Sequence, residues 1–132
     1  MKITRCGEAP SVRASADWFT GVVWQNPIIA APDPARVGSA LVTFLPGART
    51  NWHHHPLGQT LYITQGTGWV QKEGEPRIEV HAGDVIWIPP LERHWHGATD
   101  KTTMSHLAMH ERDGESHVTW QEPVAEEDYL AG

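Results

Sequence analysis

Turn-forming residues interrupt this chain so often that long helices are excluded from most of it. Its 132 residues include 12 glycines and 10 prolines. They separate short runs rich in β-branched and aromatic residues, a spacing typical of strands joined by tight turns. Residues 31–34 contain two prolines, which cannot donate to a strand ladder, so this segment is predicted as a loop. The pattern predicts an all-β fold of roughly eight to ten short strands, in a sandwich or barrel.

The strand candidates occupy the stretches between these turn signals. We predict strands at residues 21–24, 39–45, 58–64, 69–72, 77–80, 85–88, 101–111 and 117–120, and a turn at residues 65–68. Only the acidic end, residues 123–130, looks helical, and we expect that helix to be solvated. The length predicts a single domain over residues 1–132, with a barrel core at about residues 38–120 and a short acidic tail at about residues 121–132.

Histidines are the unusual part of the composition, because eight of the nine lie between residues 53 and 110. Side chains alternate between the two faces of a strand, so residues of the same parity share a face. A barrel collects one face of each strand in its interior. The face that carries the paired histidines predicts a cavity lined by His53, His55, Gln59, His94, His96, His106 and His110, with apolar neighbours Ala40, Val42, Phe44, Leu61, Ile63, Met104 and Ala108.

Several imidazoles around one apolar cavity indicate a metal site. Buried imidazoles are unfavourable unless they are hydrogen-bonded or ligated. Two histidines at i and i+2 on a strand can reach one ion, and imidazole suits Zn, Fe, Ni or Cu. A third histidine and the amide oxygen of Gln59 would complete a set with open positions. A His-x-His pair alone is a weak signal, and histidine runs also occur in flexible tails, but here a β-rich strand follows the run.

The other histidines and the tryptophans are predicted to have ordinary roles. His54 has the opposite parity, so we expect it outside the cavity, and His81 and His117 lie near strand ends, where we expect solvent. Four tryptophans are expected in the core or at an interface between subunits: Trp52, Trp69, Trp87 and Trp95.

Charge and composition exclude several classes of function. The 10 basic and 16 acidic residues give a net charge of −6, whereas nucleic-acid binding needs concentrated positive charge. No apolar run is long enough for a signal peptide or a membrane-spanning helix, so we expect a cytoplasmic protein with no membrane partner. The single cysteine, Cys6, excludes an internal disulfide and a Cys-rich zinc module. We expect the partner to be a small molecule.

Two spaced motifs resemble those of the cupin family. The first cupin motif, a glycine, a His-x-His pair, a glutamate and a second glycine, is matched by Gly47, His53, His55, Gln59 and Gly66. The second motif, a glycine, a proline and a last histidine, is matched by Gly83, Pro89 and His94. The resemblance implies a single double-stranded β-helix barrel, also called a jelly roll.

A narrower resemblance extends over almost the whole chain. Residues 16–21, 31–34, 46–50, 55–61, 83–87 and 94–98 resemble landmarks of the bacterial manganese-dependent cupin hydroxynitrile lyases. Members of that group reversibly cleave an (R)-cyanohydrin, such as mandelonitrile, to an aldehyde and hydrogen cyanide. The resemblance implies one divalent ion, with Mn²⁺ expected and Fe²⁺, Zn²⁺ or Ni²⁺ as alternatives, held by His53, His55, Gln59 and His94.

The same resemblance implies roles for the remaining cavity residues. His96 and His106 match positions that transfer protons in the group. The substrate pocket is expected to be formed by Ala40, Val42, Phe44, Leu61, Ala108 and His110. By the same resemblance we expect a homo-oligomer, either a dimer or a tetramer.

The chain departs from the general cupin pattern at Gln59, which replaces the usual glutamate. A neutral ligand set leaves the charge of a divalent ion uncompensated, which makes the ion a stronger Lewis acid. Two other functions stay open at this point: a metal-dependent cupin dioxygenase acting on an aromatic or diketone substrate, and a non-catalytic cupin that only binds a ligand.

Overall fold

A computed structural model describes residues 1–132 and contains twelve strands and one short helix. The strands are β1 (Val12–Arg13), β2 (Phe19–Thr20), β3 (Val23–Ala30), β4 (Val37–Phe44), β5 (Arg49–Thr50), β6 (His53–His54), β7 (Gln59–Lys72), β8 (Ile78–His81), β9 (Val85–Ile88), β10 (His94–Ala98), β11 (Met104–Glu111) and β12 (Thr119–Trp120). The helix is α1 (Glu126–Ala131). The all-β prediction is confirmed.

The strands form one curled antiparallel sheet whose two halves face each other. One half runs in the order β1, β3, β4, β11, β7 and β9, and the other contains β2, β5, β10, β6, β8, β12 and the second part of β7. The largest apolar cluster lies between the halves and includes Val23, Phe44, Ile63, Ala98 and Met104. The curled sheet is the barrel that the spacing of turns predicted.

The predicted turn at residues 65–68 is wrong, because β7 continues through it. Gly66 has a φ of +78°, and the pairing of β7 with β11 shifts register between Ser105 and His106. An added Cβ at Gly66 would lie 2.0 Å from the carbonyl oxygen of Thr103. The glycine therefore makes a bulge that bends one strand from the first half of the sheet into the second.

Other boundaries differ by a few residues, and β3 differs most. The predicted strand at residues 21–24 extends in the structure to Ala30 and includes Pro27, where the pairing with β4 shifts register. A register shift tolerates proline because it interrupts the ladder at that point. The predicted strand at residues 85–88 has the bounds of β9, and residues 31–34 lie outside the strands as predicted.

The acidic tail is helical as predicted, but the expectation that it is simply solvated is wrong. Tyr129 in α1 is fully buried, and its hydroxyl donates to the carbonyl oxygen of Ala98 at 2.7 Å. Its ring packs against Trp69 and Trp95. The tail therefore packs on the outer face of β7 and β10, on the side of the sheet away from the histidines.

The tryptophans do not all enter the core. Trp69 and Trp95 are buried as expected, whereas Trp87 is 60% exposed on β9.

The helix α1 does not have the length and apolar character needed to cross a membrane.

Candidate active site

A cavity of about 160 Å³ opens inside the barrel between the two halves of the sheet. Five of the six residues predicted for the substrate pocket line it: Ala40, Val42, Phe44, Ala108 and His110. Four of the predicted histidines and the glutamine line it as well: His53, His55, His96, His106 and Gln59. Parity along β4, β7 and β11 therefore groups these side chains as the sequence indicated.

Four of the residues predicted at the cavity lie outside its lining: Leu61, Ile63, Met104 and His94. Ile63 and Met104 are each 1% exposed and belong to the largest apolar cluster. Leu61 points inward but is only 1% exposed and packs with Ile88 and Ala108 in a separate cluster, so the structure does not place it in the lining of the cavity. His94 lies behind His53, with ring centroids 4.2 Å apart. His94 does not line the cavity itself, but it contacts the ring of His53, which does.

Three of the histidines have their rings fixed by backbone carbonyl groups. Nδ1 of His53 donates to the carbonyl of Asn51 at 2.9 Å, and Nδ1 of His94 to that of Glu92 at 2.8 Å. Nδ1 of His55 donates to the carbonyl of residue 117 at 2.7 Å. Because a carbonyl oxygen only accepts, each Nδ1 must carry the proton, and each Nε2 keeps a free lone pair.

The donor atoms that remain lie close together and lack partners. Nε2 of His55, Nε2 of His94 and Oε1 of Gln59 are buried without a hydrogen bond. The ring of His53 lies 5.1 Å from that of His55. Buried polar atoms are normally satisfied, so this group of unpartnered acceptors suits a cation. The cluster could hold a metal ion.

Distances between the ring nitrogens alone select a slightly different group of possible metal ligands. One nitrogen from each of His53, His94 and His96 falls within 4.8 Å of the other two. His96, however, uses its Nδ1 for a 3.0 Å hydrogen bond to Nε2 of His106. Its ring is therefore oriented by another side chain and not by a backbone carbonyl. This hydrogen-bond pattern separates the three carbonyl-anchored rings from the His96–His106 pair.

The His96–His106 pair borders the cavity and is fully enclosed. Nε2 of His96 and Nδ1 of His106 are buried without partners, one at each end of the pair. The ring of Phe44 packs against both imidazoles, with centroids 5.9 Å from His96 and 5.4 Å from His106. Thr50 helps to fix the backbone of His96, because its hydroxyl accepts a hydrogen bond from the backbone N–H of His96 at 3.2 Å.

Burial keeps these imidazoles neutral. Removal from water disfavours the charged form and lowers the pKa of His55, His94, His106 and His110 to about 4. The same cause lowers the pKa of His53 and His96 well below the usual value of 6.5. At neutral pH, each ring therefore has one nitrogen able to bind a cation or to accept a proton.

His117 is exposed as predicted, but it also has a place at the site. Its side chain lines the cavity mouth and stacks on His110, with ring centroids 4.2 Å apart and planes 13° from parallel. Its backbone carbonyl is also the acceptor that fixes His55. His81 is exposed as predicted, and His54 lies outside the cavity lining.

Sequence patterns missed a further set of lining residues: Phe19, Gln25, Thr50, Val118 and Trp120. Gln25 is the one that parity could have identified, because it pairs with Val42 once β3 is extended to its full length. Trp120 lies in a two-residue strand, with its ring 4.7 Å from that of His53. Such short elements carry no periodic signal.

Comparisons with known proteins show which family the chain resembles. A family model described as a cupin domain matches residues 40–110. A protein of Granulicella tundricola named (R)-mandelonitrile lyase is 54% identical over 129 residues, which are 98% of each chain. The crystal structure of a cupin-like protein from Thermotoga maritima is 35% identical, with a TM-score of 0.88 over 97% of this chain and 96% of that one.

A more distant structure shows the same fold with a different named function. The polyketide cyclase RemF from Streptomyces resistomycificus is 21% identical, with a TM-score of 0.73 over 98% of this chain and 90% of that one. The fold alone therefore does not determine the reaction, which must be argued from the residues of the cavity.

Proposed function

The chain belongs to the cupin family, and we propose that it is a metal-dependent hydroxynitrile lyase, which reversibly cleaves (R)-cyanohydrins such as mandelonitrile to an aldehyde and hydrogen cyanide. One observation carries the proposal: a hydrogen-bonded pair of neutral imidazoles borders an apolar cavity beside a group of unpartnered metal donors. The name and near-complete coverage of the mandelonitrile lyase relative support the same reaction.

We assign the metal ligands as Nε2 of His53, His55 and His94 and Oε1 of Gln59. The three carbonyl-anchored rings support this set, because each has the tautomer that a metal requires. The unpartnered Gln59 oxygen supports it as well. Mn²⁺ is the proposed ion, since the reaction needs no electron transfer. When bound, such an ion supplies Lewis-acid polarisation of the substrate hydroxyl.

The His96–His106 pair is proposed to move the proton. In the neutral state one imidazole nitrogen at the cavity accepts the hydroxyl proton, because burial leaves the rings uncharged. The electrons of the O–H bond then form the carbonyl, and the electron pair of the C–C bond leaves with cyanide. The imidazolium formed in a desolvated site is a strong acid, so it returns its proton to cyanide and completes hydrogen cyanide.

The rest of the cavity is proposed to hold the organic group of the substrate. Ala40, Val42 and Ala108 are small and apolar, and Phe44 closes the inner end against the imidazoles. This wall excludes water from the developing charges, which strengthens the electrostatic effects of the site. Its shape suits an aromatic or compact aliphatic substituent.

A direct assay tests the proposal. Protein loaded with Mn²⁺ should release benzaldehyde and cyanide from (R)-mandelonitrile faster than the same protein stripped of metal. Absence of any difference would contradict the lyase assignment. Oxygen uptake with phenolic or diketone substrates, measured on the same samples loaded with Fe²⁺, would instead support a dioxygenase.

We also propose that the protein is a homo-oligomer that associates through the outer face of β4, β11, β7 and β9. Eight uncharged residues form two adjacent rows on that face: Leu41, Leu107, Tyr62 and Val85 in one, and Ser39, Met109, Thr60 and Trp87 in the other. Val85 and Trp87 are more than half exposed. Two copies of a chain with a net charge of −6 repel each other, and an uncharged face is where that repulsion is smallest.

A further inference from the structure

A second chamber adjoins the cavity of the active site at its open end. This outer chamber has a volume of about 300 Å³, and it shares Gln25, Ala40, His110 and His117 with the inner cavity. Any molecule that enters the inner cavity by this route passes the outer chamber first. The residues that line it beyond the shared four can therefore contact the end of a substrate that projects from the inner cavity.

Two arginines stand where the inward face of the barrel reaches this chamber. Arg36 precedes β4 and has the parity of Ala40, and Arg112 follows β11 and has the parity of His110. The backbone N–H of Arg112 donates to the carbonyl of Arg36 at 3.0 Å, which continues the ladder between these strands. Both arginines line the outer chamber.

The imidazole of His110 packs over Gly38, between these arginines and the active site. Gly38 lies midway between Arg36 and Ala40 on the inward face of β4, opposite His110. An added Cβ at this glycine would lie 2.7 Å from Nε2 of His110. The His110 ring therefore fills the space above Gly38, and the two chambers meet beside that ring, where Gln25, Ala40 and His117 line both of them.

The two arginines differ in whether their charge is paired with an acidic side chain. Arg112 is paired with the Asp33 carboxylate at 2.7 Å and donates to the carbonyls of Ala31 and Ala35. Arg36 makes no ion pair and no side-chain hydrogen bond. No acidic side chain lines either chamber, although the chain has 16 acidic and 10 basic residues. The approach to the site thus carries an unpaired positive charge in an acidic protein, which favours anions.

We propose that the outer chamber binds a carboxylate at the far end of the substrate and that Arg36 is its partner. The substrate class is then an aromatic aldehyde or cyanohydrin with an anionic group opposite the reacting carbon. The identity of the reacting group in this inference rests on the proposed lyase function. Four residues of strand separate Ala40 from Arg36, a span of about 13 Å. That span is covered by a para-substituted ring with its carboxylate and the arginine side chain that meets it. A guanidinium group can donate two parallel hydrogen bonds to a carboxylate.

Binding of unreactive probes tests this without relying on catalysis. Isothermal titration of Mn²⁺-loaded protein would compare 4-(hydroxymethyl)benzoate with 4-methylbenzyl alcohol, which differ in charge at the far end. We expect the carboxylate to bind about fivefold more tightly, the range of a partly exposed ion pair, and this preference to shrink as salt is added. Arg36→Gln should remove the preference, Arg36→Lys should retain part of it, and Arg5→Gln, at an exposed arginine elsewhere, should leave it unchanged.

The outcomes separate this inference from the proposed function. Equal binding of the two probes by the unaltered protein, or an undiminished preference in Arg36→Gln, would overturn the carboxylate site even if mandelonitrile is cleaved. A carboxylate preference that depends on Arg36 would support it even in a protein that releases no cyanide.

Discussion

Nε2 of His106 lies 3.0 Å from Nδ1 of His96, and these two buried imidazoles share a single hydrogen bond. Only one of the two facing nitrogens can carry the proton, so the tautomer of one ring fixes that of the other. A proton accepted at one end of the pair can be passed along this bond. The pair therefore behaves as one unit, and changes at either residue should have similar effects.

Replacement of either member of the pair should remove most of the cleavage activity. We expect His96→Ala and His106→Ala each to lower kcat for (R)-mandelonitrile by about 10²–10⁴-fold, the usual contribution of a positioned acid–base group. The double variant should lose little more than each single variant, because the two act together. Initial rates of benzaldehyde release would measure this, with metal content checked by elemental analysis.

A matched control for that experiment is His81→Ala, since His81 is exposed and lies outside the cavity. It should retain full activity. Full activity in His96→Ala or His106→Ala with normal metal content would refute the assigned roles.

Removal of the metal should abolish cleavage, and Mn²⁺ should restore it. The ligand assignment predicts that Gln59→Ala weakens Mn²⁺ binding by about 10–100-fold, because the variant loses one donor of the set. His54→Ala is the control, since His54 neighbours two proposed ligands in sequence but lies outside the cavity lining. Competition with a fluorescent chelator would give the affinities. Unchanged affinity in Gln59→Ala would instead favour a ligand set that includes His96.

The metal-free protein should lose stability as the pH falls from 6.5 toward 4. Burial lowers the pKa of His106 to about 4 from 6.5, so between these values the unfolded chain binds a proton that the folded chain does not. The free energy of unfolding therefore decreases as the pH falls, by about 3 kcal/mol for this one group. Urea unfolding at pH 4–7 would show a shallower dependence in His106→Gln than in the unaltered protein. Equal slopes in the two proteins would contradict the assignment.

The buried tyrosine of α1 should anchor the C-terminal tail. Tyr129→Phe removes a hydrogen bond to Ala98 and should lower the free energy of unfolding by about 1 kcal/mol, whereas Tyr129→Ala should lower it by about 3–5 kcal/mol. The adjacent Leu130 is 48% exposed, so Leu130→Ala should change it little. Chemical unfolding would measure all three. A Tyr129→Ala variant as stable as Leu130→Ala would show that the helix is not anchored by this residue.

The outer face of β9 should control the oligomeric state. Val85 is 64% exposed, so Val85→Glu adds charge to the uncharged face with little effect on the fold of one chain. We expect it to shift the protein to monomers in sedimentation equilibrium at micromolar concentration. Ile78→Glu, at a 58% exposed residue of β8 in the other half of the sheet, is the matched control. A change in Ile78→Glu alone would move the interface to that half.

The sequence predicted which face of a strand a side chain occupies better than how deeply that side chain is buried. Parity brought five of the six predicted histidines to the cavity lining, because alternation is a local property of a strand. It also placed Leu61 inward, but the depth at which an inward side chain lies depends on neighbouring strands, and this residue packs below the cavity with Ile88. The exposure of His117 was predicted, but its place in the cavity lining was not, because the segment that carries it has no period.

Gly66 shows a second limit of prediction from sequence. Glycine permits both a turn and a bulge, and the local sequence does not distinguish them. What decides here is the close approach of Thr103 from a distant part of the chain, which leaves no room for a side chain and keeps β7 paired on both sides of the bend. Likewise, the carbonyl that holds His55 comes from a residue 62 positions away.

The anchoring of three imidazoles by backbone carbonyls affects how the pocket can change during evolution. Main-chain oxygens at residues 51, 92 and 117 hold the rings of His53, His94 and His55. A main-chain oxygen is present whatever side chain the residue carries. A point mutation at residue 117, which lines the cavity, can therefore alter the pocket while the ring of His55 keeps its orientation, so specificity is free to drift without rebuilding the proposed metal site.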